Sequence, residues 1–217
     1  MDNARIEKKF VLGKLKEDFF KKFLLLNGFI KQFQNRSITS IYLDTNNYNL
    51  AKDNINGVSK RKKIRFRWYN NNLNEIFFEE KNKKNFYVWK RVEKIKLLNE
   101  KIDEIHKLKK FFYANTFRFT KNNNYKFILK TNYERSYWIS NNKKIRATID
   151  INLNTNCFKN NLNSIYLPDT ILEFKFPHKY EQYFRSFFNN RSYNLRSQKY
   201  SKYVRSLGAL ENSGYKI

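Results

Sequence analysis

The chain has 217 residues, of which 18% are aromatic, with a net charge of +26 and a pI of about 10.0. The length suffices for one large domain or two small ones with a real core. The aromatic content excludes a disordered chain, and the charge calls for a polyanionic partner: nucleic acid, an anionic membrane or a phosphate-rich small molecule.

The first predicted element is a strand over 4–12 (ARIEKKFVL). Arg5, Glu7 and Lys9 alternate on one face; Ile6 lies opposite, followed by Phe10 and Leu12. An amphipathic helix over 14–27 follows, with Leu15, Phe19, Phe23 and Leu26 at helical spacing and Gly28 as its C-terminal stop. Residues 38–44 read as a strand, 46–55 as a short helix and Asn56-Gly57 as a turn. The stretch 62–69 (KKIRFRWY) has the clearest two-faced pattern. Ile64, Phe66 and Trp68 point one way; Lys63, Arg65 and Arg67 point the other. Residues 76–81 and 86–92 form a predicted hairpin joined by the polar run Asn82 to Asn85. A helix over 100–114 carries Ile102, Ile105, Leu108, Phe111 and Phe112 on one face. Residues 125–139 make one long strand or two. The strand 145–151 sets Ile145, Ala147, Ile149 and Ile151 against Arg146, Thr148 and Asp150. Residues 171–176 set Leu172, Phe174 and Phe176 against Glu173 and Lys175. A helix over 179–188 and a short C-terminal helix after Lys199-Tyr200-Ser201-Lys202-Tyr203 complete the chain. No repeat or linker divides residues 1–217, which read as a single domain of mostly strands.

Several strands thus pair an apolar face with a charged one. Two architectures give this pattern, an open sheet with a solvated face and a barrel with a basic lumen. Arginine forks bind phosphate oxygens in pairs. Acids placed among them either hold an arginine's rotamer or bind a divalent cation that bridges phosphates, and Glu7, Asp150 or Glu173 would suffice for the latter. Part of the lysine surplus carries no message. The chain is rich in Lys, Asn, Ile and Phe and poor in Gly, Pro and Ala, as an AT-rich coding sequence would make it.

The remaining signals are exclusions. The lone Cys157 precludes an internal disulfide and a cysteine-based zinc site. His106 and His178 lack metal spacing. No phosphate-binding glycine loop, DNA-reading helix signature or RNA-recognition motif is present, so DNA is not an expected partner. Arg5, Glu7, Lys8 and Lys9 interrupt any leader-like apolar run, and the longest aliphatic cluster, Phe23 to Leu26, is far below the ~20 residues of a membrane span. A cytoplasmic location is therefore expected.

Taken together, RIEKKF, SIYLDT, KRKKIRFRWY, FFEEK, the WKR at Trp89 to Arg91, YERSYW, RATID, LEFKF and KYSKY resemble, in order, the motifs of the VTC-type polyphosphate polymerase domain. That domain is a branch of the CYTH superfamily of triphosphate tunnel enzymes. The resemblance runs from about residue 5 to 205. It implies an α+β fold, with an antiparallel β-barrel forming a tunnel and a few helices packed outside. It also implies transfer of the terminal phosphate of ATP onto polyphosphate, with Mn²⁺ or Mg²⁺. By position, Arg65, Arg67, Lys81, Lys90, Arg135 and Lys202 would grip the reacting phosphates. Lys9, Arg146, Lys199 and Ser201 would bind substrate, and Glu173 would hold the metal. Arg5 stands where hydrolytic tunnel enzymes carry the first Glu of their ExExK strand, a departure that favours a polymerase over a two-metal hydrolase. The SPX region and membrane segment of eukaryotic complexes have no counterpart in these residues, so coupling of synthesis to translocation has no support in the sequence. The alternatives are an inorganic or nucleoside triphosphatase on the same fold, and a non-catalytic binder of polyphosphate or RNA.

Overall fold

The computed structural model describes residues 5–13, 16–85, 87–96, 105–121, 124–158, 164–188 and 195–214. In chain order the elements are β1 (Arg5–Leu12), α1 (Glu17–Leu26), β2 (Phe29–Asp44), α2 (Asn49–Ile55), β3 (Lys60–Tyr69), β4 (Ile76–Lys84) and β5 (Tyr87–Ile95). They continue with α3 (Ile105–Thr120), β6 (Lys126–Ser140), β7 (Arg146–Cys157), β8 (Ile165–Leu167) and β9 (Thr170–Pro177). A 3₁₀ turn at His178–Tyr180 leads to α4 (Glu181–Ser186) and α5 (Lys202–Asn212). None of the described helices is long and apolar enough to cross a membrane.

The strands form one antiparallel sheet in the order β1-β9-β7-β6-β2-β3-β4-β5, with β8 added on β7. Its outer face carries the apolar positions. Phe66, Trp68 and Phe78 pack under Phe112 of α3, with the Phe66 and Phe112 ring centres 4.8 Å apart. At the other end Phe10, Phe174 and Phe176 pack under α1 and α4, with Phe174 and Phe184 5.1 Å apart. The period-two alternation of β3, β7 and β9 separates an apolar face under the outer helices from a charged concave face.

The sheet curls but its hydrogen-bonded circuit stays open between β1 and β5. Two features bridge the gap. Lys81 of β4 reaches Glu7 of β1, with Nζ 3.0 Å from Oε2. The segment 195–200 runs along the free edge of β1, where the Gln198 amide donates to the Lys9 carbonyl at 2.8 Å. In place of the predicted closed barrel the structure has a curled, open sheet whose gap is spanned by a Lys–Glu pair and flanked by an extended strap.

α1, α3 and α4 lie outside, as the pattern predicts, but α5 does not. Its Tyr203, Leu207 and Leu210 pack on the concave side against Tyr42, Leu129 and Cys157. Asp44, fully buried at the end of β2, fixes this arrangement. It accepts hydrogen bonds from the Leu50 and Ala51 amides of α2 at 2.9 Å and from the Tyr203 hydroxyl at 2.7 Å.

Other boundaries differ from the predicted ones for identifiable reasons. β2 begins nine residues before the predicted start of 38. Its first half, exposed on both sides, is held by backbone pairing with β6 and so shows no alternation. The predicted loop over Asn82 to Asn85 is mostly strand; only Asn85, with a φ of 54°, turns. In α1 the buried stripe is Phe20, Phe23 and Leu24, which meets the aromatic core, while Phe19 and Leu26 are exposed. Leu15 and Ile102 lie outside the described residues, as do the side chains of Ile105 and Leu108.

Candidate functional site

The alternation of the strands sends one set of charged residues, Arg65 and Arg67 of β3 and Glu79 and Lys81 of β4 among them, to the concave side, and the registers stack them there. Glu79 of β4 is the hub at one end. It pairs with Arg65 (Nε to Oε2, 2.6 Å) and Lys90 (Nζ to Oε1, 2.5 Å), and Arg67 lies 3.8 Å away. Arg67 also donates to the Ser40 hydroxyl and the Tyr133 hydroxyl, each at 3.1 Å. Tyr133 carries the contact from β3 to β6 and α5: Lys202 Nζ lies 4.4 Å from its ring centre.

Asp150 of β7 is the second hub. Arg135 grips it with two nitrogens, at 2.5 and 2.7 Å, and Lys202 adds a third contact at 2.5 Å. Arg135 also reaches Glu173 of β9 at 4.0 Å. Lys175 then joins Glu173 (3.2 Å) to Glu7 (3.9 Å), and Glu7 closes the circuit on Lys81. The polar contacts thus run round a ring that the backbone hydrogen bonds leave open.

Cations outnumber acids in this ring, and the acids are held ionised. Burial pushes Glu79 up, but Arg65, Arg67 and Lys90 outweigh it and bring its pKa to about 2. Burial likewise opposes Lys9, Lys175, Arg135 and Lys202 at Glu173, which also falls to about 2. Asp150 lies far below the usual carboxylate range despite complete burial, because of Arg135 and Lys202. Burial raises Tyr133, yet Arg135, Arg67 and Lys202 leave its hydroxyl below its ordinary value. Asp150 and Glu79 therefore do the first of the two jobs considered for such acids: they fix arginine forks.

The ring brings together Arg65, Arg67, Lys81, Lys90, Arg135, Lys202 and Glu173. Lys9 lies beside it; its ammonium donates to the Tyr200 carbonyl at 3.1 Å and feels Glu173. Ser201 caps α5 and accepts from Lys63 at 2.8 Å. Two predicted residues stay apart from the central contacts. Arg146 is exposed at the start of β7, and Lys199 is exposed on the strap, near enough to Lys83 to depress its pKa together with burial and Arg61.

Two residues outside the predicted site belong with it. Tyr133 lies two positions before Arg135 on the same face. Lys63 lies two positions before Arg65, and that shared alternation was the available signal. Burial, then Lys9, Lys81, Arg65 and Arg61, lower the Lys63 pKa to about 7. A folded-state pKa below the unfolded value of about 10.4 costs stability wherever both states are protonated. Lys63→Met is therefore expected to raise the melting temperature below pH 7. The gain should fade as pH rises from about 7 toward 10.4, which thermal melts across that range would read.

Glu173 and Glu7 are the carboxylates suited to a divalent cation. They sit side by side across the β1–β9 ladder, where Lys9 pairs with Glu173 and Glu7 with Lys175. No group of three or more His, Cys, Asp or Glu side chains suited to a metal exists among the described residues. Mg²⁺ and Mn²⁺ commonly take one or two carboxylates and fill the remaining positions with water and substrate phosphates. The donor set fits a cation that arrives with a phosphate ligand.

The VTC domain family model matches residues 4–211. No curated protein matches the chain. Among solved structures, a putative adenylyl cyclase from Hippeastrum, described as having a dominant triphosphatase activity, superposes with a TM-score of 0.56 at 12% identity, covering 98% of this chain and 97% of that one. A putative adenylate cyclase from Vibrio parahaemolyticus gives 0.52 at 13% identity, covering 96% and 99%. A Pyrococcus horikoshii protein gives 0.52 at 15% identity, covering 94% and 99%. Similarity at this level establishes a shared fold.

Proposed function

The chain belongs to the VTC domain family, and on that footing we propose that it is a polyphosphate polymerase that takes the γ-phosphate of ATP onto a growing chain. The observation that carries this reading is the ring of arginines and lysines on the concave face, closed through Lys81 and Glu7 and holding more cations than acids. A polyanion threaded through it would meet forks already oriented by Glu79 and Asp150.

In the proposed reaction a terminal oxygen of the acceptor chain attacks the γ-phosphorus in line. The bond from that phosphorus to the β,γ-bridging oxygen breaks, and ADP leaves with the electron pair. The chain's own residues supply position and charge. Arg65, Arg67 and Arg135 would hold non-bridging oxygens by their forks, and Lys81, Lys90 and Lys202 would offset charge on the transferring group. The attacking oxygen of a phosphate acceptor is already ionised near neutral pH, so no general base is required. A divalent cation, held by Glu173 with Glu7, would screen charge between phosphates. Lys63, poised near neutrality, would take up a proton as phosphates arrive.

The test is incubation of the purified protein with ATP, Mn²⁺ and a pyrophosphate primer. A ladder of lengthening polyphosphate is expected. Orthophosphate release without chain growth would instead assign the triphosphatase reading, and intact ATP with no ladder would remove the polymerase. Tight, salt-sensitive polyanion binding that survives Arg65→Ala plus Arg67→Ala would point to the non-catalytic binder.

A further inference from the structure

The two ends of the basic ring differ in chemistry. At one end stand Arg61, Lys83 and Lys199, a purely cationic group. At the other, the strand registers place aromatic side chains beyond the arginines on the same concave side. Tyr69 pairs with Ile38, two positions past Arg67; Phe77 pairs with Arg67 itself; Phe33 pairs with Tyr137, two positions past Arg135. Tyr69 and Phe77 meet edge to face at 5.9 Å, and Phe33 and Tyr137 do the same at 6.0 Å. The Arg36 guanidinium lies over both rings of the second pair, 5.9 Å from Phe33 and 5.6 Å from Tyr137. The two pairs are close neighbours. The Tyr137 hydroxyl is held above its ordinary pKa chiefly by burial, with Arg135 opposing and Tyr69 adding to the rise.

Tyr69 rests on the packed core around Ile38 and Tyr133, while the other rings of the cluster are only partly covered. Phe33 is 50% exposed, and Tyr69, Phe77 and Tyr137 are half-buried. Partly wet rings at the end of a cationic ring suit a ligand that is anionic at one end and flat at the other. A base stacks on an aromatic face, and a guanidinium adds a second planar surface. Two residues of strand advance about 7 Å, so the rings stand one sugar's reach from the arginine forks.

We propose that Phe33, Tyr137 and Arg36, with Tyr69 and Phe77 beside them, hold the base of a nucleoside triphosphate whose phosphates lie in the tunnel. This rests on the tunnel reading above and adds the orientation of the donor: base at the aromatic mouth, phosphates inward. An inorganic polyphosphate uses the cations alone.

The test is calorimetric binding of non-hydrolysable analogues of ATP and of tripolyphosphate, each with Mn²⁺, to the unaltered protein and to Phe33→Ala and Tyr137→Ala. The expected result is a loss of about tenfold for the ATP analogue in each variant and unchanged binding of the tripolyphosphate analogue. Phe33 is exposed enough for its truncation to leave the fold intact, which protects the comparison should Tyr137→Ala disturb Arg135. Unchanged affinity for the ATP analogue in both variants, or equal losses for the two ligands, overturns the base site and leaves the tunnel standing. Failure of the unaltered protein to bind the tripolyphosphate analogue overturns the tunnel and the base site together.

Discussion

Asp150→Ala is expected to lower the stability of the protein by about 3–5 kcal/mol, a drop in melting temperature of roughly 6–20 °C. Asp150 has no exposed surface, and it receives both a bidentate arginine and a lysine. Its removal leaves Arg135 and Lys202 facing each other across Tyr133 in a site that water enters poorly. The cost is that of uncompensated buried charge, which exceeds the net worth of the pair. The sign with pH follows from the depressed carboxyl. The contribution is present above the unfolded value of about 3.9 and is lost only as pH falls through the much lower folded value. The stability gap between variant and parent should therefore hold across the neutral range and narrow in strong acid. Equal melting temperatures at pH 7 would show that Asp150 holds nothing in place.

Arg67→Ala is expected to reduce phosphoryl transfer from ATP by about 10²–10³-fold. Its structural cost should be smaller than that of Asp150→Ala, because Glu79 keeps Arg65 and Lys90. The groups left behind are the Ser40 and Tyr133 hydroxyls, both neutral. Arg67→Lys keeps the charge and loses the planar fork, so it should recover part of the activity and not all of it. Steady-state turnover, read beside a melting curve for each variant, separates the two effects. Full activity in Arg67→Ala would place the reacting phosphates elsewhere.

The concave site was legible where the sequence alternates without interruption. In β3, β7 and β9 the period-two pattern alone sorts Ile64, Phe66 and Trp68 from Arg65 and Arg67, and Leu172, Phe174 and Phe176 from Glu173 and Lys175. Both sortings match the partners of those residues: the apolar ones pack in the outer cores, and the charged ones join the ionic contacts of the concave face. It was less legible where tertiary contacts decide. The N-terminal half of β2 is wet on both sides and has no apolar face to announce it. The face that α1 turns inward is chosen by the core it meets, because its sequence offers more than one apolar stripe, Phe19, Phe23 and Leu26 as well as Phe20, Phe23 and Leu24. Lys202 is marked by the KYSKY resemblance and by no strand alternation of its own. Only the anchoring of Tyr203 on Asp44, far away in sequence, carries it into the ring. Pattern alone also left a solvated sheet and a basic lumen as equal readings. The pairing of Lys81 with Glu7, from the next-to-last strand of the sheet order and the first, is what separates them.

The most direct measurement is a crystal structure of the protein with a non-hydrolysable ATP analogue and Mn²⁺. The tunnel account places the phosphates between Arg67, Lys81, Arg135 and Lys202, with oxygens within hydrogen-bond distance of side chains from at least three strands. Phosphates held on the outer face, with those four side chains still engaged only with Glu79, Glu7 and Asp150, would contradict it.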